Sequence, residues 1–141
     1  MGREEEVGRQ ERRREARSAL KARVRFRIVR QGPDMKVSEP LEGKVRDLAL
    51  HGISMETNQI VADGLHISYD RHPAERNRIF LQVQVPEVGT IKAVGETVWY
   101  ERITPGESRF VVGLRFVEVS KEDRALLSRY LSGGKAEFPG R

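Results

Sequence analysis

Two groups of residues in this chain have the chemistry of a ligand site. The first is the cluster Arg12-Arg13-Arg14-Glu15-Ala16-Arg17, in which Arg13 and Arg17 stand four apart. The second, about thirty residues further on, is Asp47-Leu48-Ala49-Leu50-His51-Gly52. A guanidinium binds phosphate through paired N–H donors and stacks on planar bases through its flat face. A carboxylate or hydroxyl on a neighbouring turn can read the polar edge of a base. The pair therefore points to an anionic, purine-bearing ligand rather than to a catalytic centre. His51, inside the second group, is placed to touch such a ligand, and Trp99 offers a stacking surface if it faces outward.

Each group also has a plainer reading. The arginines could form a solvated helix face beside Glu11 and Glu15, although those carboxylates are too few to neutralise them. Residues 47–52 could be a simple turn, with Asp47 bonding its own backbone and Gly52 supplying a positive φ. Trp99 could instead pack under the N-terminal arm or a helix. His51, His66 and His72 fit no helical metal motif, and His66 and His72 read as surface groups. No metal or organic cofactor is expected. No nucleophile elbow, P-loop, dinucleotide turn or zinc-protease helix occurs, so an enzyme is not expected either.

Charge supports the ligand reading. The chain of 141 residues carries +5 overall, yet residues 1–30 hold 11 Lys and Arg against 5 Glu, while the remainder is close to neutral. That concentration suits a phosphate group, a nucleic acid or an acidic surface. The 38% apolar and 33% charged content allows one modest core. With no cysteine there are no disulfides, thiol nucleophiles or thiolate metal ligands. No apolar run reaches the roughly 20 residues of a membrane span, and the first residues lack the apolar segment of a signal peptide, so a cytoplasmic location is expected.

The elements that would position these residues are mostly strands. Val24, Phe26 and Ile28 alternate with Arg23, Arg25 and Arg27, a half-buried strand. Further strands are expected near residues 41–46, 52–56, 65–69, 79–85, 91–101 and 110–116, separated by Gly, Pro and Asp turns. Val94 and Val98 are expected to face the core and Trp99 the outer wall. Residues 70–77 read as a polar loop. Ser120 caps a late helix whose stripe is Leu126, Leu127, Tyr130 and Leu131, and Gly133-Gly134 is expected to stop it. This pattern implies an all-β-dominated antiparallel barrel with a C-terminal α-helix. It divides into a basic arm (residues 1–22), a barrel with helix (23–132) and a disordered tail (133–141).

Set beside that strand pattern, the two groups give the chain a resemblance to the PilZ family, small bacterial domains that bind cyclic di-GMP. Arg13 and Arg17 match the family's Arg-x-x-x-Arg motif, and Asp47 and Gly52 match the ends of its (Asp/Asn)-x-Ser-x-x-Gly motif. Gly95-x-x-Val98-Trp99 and Gly113-Leu114-Arg115-Phe116 look like its later strand patterns, so the likeness runs over residues 11–131. It implies a six-stranded, Greek-key-like barrel with a C-terminal helix and a flexible basic arm. It also implies arginines on the phosphates and guanine faces, Asp47 on a guanine edge, and close backbone approach at Gly52. An arginine just before the motif, here Arg12, goes with an intercalated ligand dimer. Arg14 belongs to the same basic group. The departure is Ala49, where the family has Ser. A lost neutral hydrogen bond would weaken binding roughly three- to tenfold.

The resemblance implies a cyclic di-GMP receptor that closes its arm and signals to a downstream protein, for example in motility or biofilm regulation. Two alternatives remain: a degenerate domain serving as a protein-interaction module, and a nucleic-acid binder. The second is disfavoured because Phe26 is the one aromatic among the basic residues of the first strand.

Overall fold

The computed structural model describes residues 21–136, so Arg12, Arg13, Arg14 and Arg17 lie outside the described residues, as do residues 137–141. Among the described residues, nine strands and one helix follow in order: β1 (Arg23–Arg30), β2 (Lys36–Val37), β3 (Leu41–Leu48), β4 (Gly52–Thr57), β5 (Val61–Ala62), β6 (Leu65–His66), β7 (Arg78–Val85), β8 (Gly89–Arg102), β9 (Phe110–Val119) and α1 (Lys121–Ala136).

β1 pairs along one edge with β7, from Arg23 opposite Gln84 to Val29 opposite Arg78. Its other edge pairs first with β3 and then with β2. The sheet order β2-β1-β3-β4-β9-β8-β7, joined back through β1 and β7, is a closed six-stranded antiparallel barrel with β2 as an extra short strand. Closure leaves no long free edge for another strand to pair with. Between β2 and β3 the ladder is completed by Ser38. Its N–H donates to the Ile28 carbonyl at 2.8 Å, and its hydroxyl oxygen accepts the Ile28 N–H at 2.8 Å. The buried backbone of β1 is thus satisfied where neither strand reaches it.

Alternation fills the interior. Val24, Phe26 and Ile28 from β1 and Ile79, Leu81, Val83 and Val85 from β7 are buried, while Arg23, Arg25 and Arg27 face solvent. The run expected near residues 65–69 packs into the domain, whereas residues 71–76 form the exposed polar loop expected there. Leu65 and Ile67 are fully buried with the barrel core. Ala62 is also buried and Ile60 packs against the core; polar bonds add to these anchors. The Asn77 side-chain amide donates to the His66 carbonyl at 2.7 Å and to Asp70 Oδ2 at 2.9 Å. Thr97 Oγ1 donates to the Ile67 carbonyl at 2.8 Å.

Ser120 caps α1 as expected. Its oxygen accepts the Asp123 N–H at 3.1 Å, and its hydroxyl donates to Asp123 Oδ2 at 2.7 Å. Leu127 is fully buried, with Leu126, Tyr130 and Leu131 half-buried around it. The helix continues to Ala136 rather than stopping at Gly133-Gly134. A glycine costs a helix about 1 kcal/mol relative to alanine, which weakens the last turn without ending it.

Candidate functional site

Asp47, Gly52 and Trp99 lie on one outer wall of the barrel, with Ala49 and His51 at the hairpin tip beside it. Two bulges bring this about. In β3, Val45 pairs with Met55 and Asp47 with Ser54, leaving Arg46 as an extra residue. Strict alternation would send Asp47 inward with Val45. The inserted residue reverses the phase, so Asp47 faces outward beside Ser54 while Leu48 returns to the core. In β8, Thr97 pairs with Leu114 and Trp99 with Gly113, leaving Val98 as the extra residue. Thr97 is buried, and the insertion sends Trp99 outward. Bulges commonly re-aim a side chain in this way next to functional sites.

Trp99 therefore faces outward as expected, but not for the expected reason. Val98 is 57% exposed and Val94 half-buried, whereas Ile91, Ala93 and Thr97 face the core. The sequence pattern misses the phase change because neither bulge carries a glycine or proline to mark it.

The registers combine into one lateral row. Asp47 lies opposite Ser54, Ser54 opposite Gly113, and Gly113 opposite Trp99, across β3, β4, β9 and β8. The indole rests on Gly113. A Cβ on that glycine would collide with indole Cε2 and Nε1 and meet Cζ2 at 2.8 Å. Trp99 remains 46% exposed, so half of the ring is available above the wall. Ser54 and the role of Gly113 escaped the sequence reading. An isolated glycine within a strand pattern was the available signal, since it marks close approach by another group.

A second row lies one step along. Ala49 and Gly52 close the β3–β4 hairpin, with the Ala49 N–H donating to the Gly52 carbonyl at 2.9 Å. Gly52 pairs with Arg115, and Arg115 with Glu96. Gly52 does not have a positive φ, so the turn does not require it for that reason. Glycine is needed because a Cβ there would strike the Leu114 carbonyl oxygen. The close approach expected at Gly52 is thus made by β9. Asp47 lies within β3 rather than in the turn. His51 and Ala49 are exposed at the hairpin tip, and the His51 carbonyl accepts the Phe116 N–H at 2.8 Å.

Glu96 sits low on this wall, its side chain 13% exposed, and accepts two guanidinium groups. Arg78 Nη1 donates at 2.8 Å, and Arg115 donates through Nη2 at 2.7 Å and Nε at 3.2 Å. The three side chains together leave one net positive charge.

His66, expected on the surface, is half-buried instead. Its Nδ1 accepts the Ser68 N–H at 3.0 Å, and its ring lies 5.3 Å from that of Tyr100. Burial holds its pKa below the ordinary 6.5, with Asp70 opposing that shift. His72 is exposed, and among the described residues no group of three or more His, Asp or Glu could hold a metal ion. No helix among them is long and apolar enough to cross a membrane.

Comparison with solved structures finds two that are distantly similar in sequence. The PilZ domain of YcgR from Escherichia coli, solved with c-di-GMP, has 15% identity and a TM-score of 0.45, covering 82% of this chain and 89% of that one. The Borreliella burgdorferi PlzA protein, in complex with c-di-GMP, has 13% identity and a TM-score of 0.47 over 90% of this chain; the match spans 50% of PlzA. A search of curated proteins finds no match. The family profile of the PilZ domain matches residues 11–133, which take in the arginine cluster, both bulged strands and most of the helix; the chain belongs to the PilZ domain family.

Proposed function

We propose that this protein is a non-enzymatic receptor for cyclic di-GMP. Arg13 and Arg17 grip the phosphates and stack on the guanines, Asp47 reads a guanine edge, and Trp99 provides a stacking surface. The observation that carries this reading is the row Asp47–Ser54–Gly113–Trp99. Two separate bulges place an acceptor and an exposed indole on the same stretch of wall.

The attachment of the arm supports it. Ala22 is buried, and its carbonyl accepts the Val45 N–H at 2.9 Å, two residues before Asp47. Lys21, just before it, has a φ of 53°, a left-handed turn at the joint. Arg17 is five residues from Ala22, and an extended chain spans at most about 3.6 Å per residue, so it stays within about 18 Å of that anchor. The arginines are tethered close enough to close over the wall when two phosphodiester anions arrive. Arg12 beside Arg13 favours a ligand taken up as an intercalated dimer, and Arg14 adds to the positive field. Arm closure then presents an altered surface to a downstream protein, in the cytoplasm where such messengers act.

A titration of cyclic di-GMP followed by tryptophan fluorescence tests this. The emission of Trp99 should change saturably in the wild type and far less in Arg13→Ala and Arg17→Ala. A response that survives both substitutions would remove the arm from the site. Ala49 favours a second reading, a ligand-independent protein-interaction module. That reading predicts a partner complex recovered from the native host equally with and without cyclic di-GMP.

A further inference from the structure

We propose that Arg115 is a base-reading residue of this wall, one that selects guanine over adenine. The inference deepens the cyclic di-GMP reading and rests on it. Arg115 follows Gly113 by two positions on β9, so the two residues share the outer face about 6.8 Å apart. Gly113 carries the indole of Trp99, and a base lying on that indole has Arg115 alongside. On the other flank Arg115 pairs with Gly52, which has no side chain to screen it from the ligand.

The guanidinium is held in a defined way. Both of its bonds, through Nε and Nη2, go to the same carboxylate oxygen, Glu96 Oε1. A guanidinium has five N–H donors, so the edge formed by Nη1 and the second Nη2 hydrogen is left over. Among the described residues no bond is made from that edge, and the Arg115 side chain is 64% exposed. Glu96 therefore orients the fork without consuming it. Nor does it cancel the charge, because it also accepts Arg78. A fixed, exposed two-donor fork matches the paired O6 and N7 acceptors of guanine. Adenine places an N6 amino donor where guanine has O6 and so repels one arm of the fork. Glu96 is a positioning residue in this scheme, acting through Arg115.

The test is calorimetric titration of the full chain with cyclic di-GMP and, separately, cyclic di-AMP. The wild type should prefer cyclic di-GMP. Arg115→Ala should weaken cyclic di-GMP binding about 5- to 150-fold and leave cyclic di-AMP binding nearly unchanged, so the preference collapses. Arg115→Lys should not restore it, because an ammonium has no planar fork. Glu96→Gln should lower the preference by less than Arg115→Ala does. The inference is overturned if Arg115→Ala keeps the wild-type preference, or if both ligands weaken together, which would mark a structural or general charge role. A wild type that binds neither ligand would overturn the receptor reading itself.

Discussion

Gly113→Ala is the sharpest probe of how the wall is built. The added methyl would meet indole Cζ2 at 2.8 Å and press harder on Cε2 and Nε1. Carbon atoms in contact need about 3.5–4.0 Å, so the ring must retreat by about 1 Å or swing off the strand. Trp99 is an exposed side chain that can move, so the fold should lose no more than about 1 kcal/mol. Binding should suffer more. A base stacked on an aromatic ring contributes about 1–3 kcal/mol, so a displaced platform costs up to about 5- to 150-fold in affinity. Trp99 is the chain's single tryptophan, and intrinsic fluorescence therefore reports this ring alone. In Gly113→Ala the emission should shift to the red and become more accessible to a neutral quencher, with a nearly unchanged thermal transition and weaker cyclic di-GMP binding. Wild-type emission together with wild-type affinity would refute the seating of the indole on Gly113 and its use as a platform.

Three further outcomes follow from named contacts. Gly52→Ala should destabilise the fold by about 1–3 kcal/mol in urea denaturation, because its Cβ collides with the Leu114 carbonyl oxygen rather than with a yielding side chain. Ala49→Ser should tighten cyclic di-GMP binding roughly three- to tenfold by calorimetry, and an unchanged affinity would mean that the exposed hairpin tip does not touch the ligand. His66 is held below its ordinary 6.5, so protons bind the unfolded chain more readily than the folded one below that pH. Its contribution is fully present above 6.5 and is lost as pH falls; thermal denaturation between about pH 7 and 5.5 should show a decline that is smaller in His66→Asn.

Much of the barrel was legible because its period is local. β1 and β7 announce themselves through Val24-Phe26-Ile28 and Ile79-Leu81-Val83-Val85, and Ser120 announces the helix. The wall was legible only in pieces. Asp47 and Trp99 stood out by type, but their meeting depends on cross-strand registers joining residues 47, 54, 113 and 99, and no local pattern encodes those. The bulges at Arg46 and Val98 were hidden because ordinary residues occupy them. Residues 70–77 read correctly as a polar loop, but the order of residues 65–69 was not legible, because it depends on side chains outside that run: Asn77 on the His66 carbonyl and Thr97, thirty residues on, on the Ile67 carbonyl. Gly52 was recognised, but the group that approaches it belongs to β9.

The central claim is tested most directly by calorimetric titration of the full chain with cyclic di-GMP. The account predicts saturable binding that weakens far more in Arg13→Ala, Arg17→Ala and Asp47→Ala than in Lys135→Ala. No heat of binding at high micromolar ligand, or an equal loss in all four variants, would contradict it.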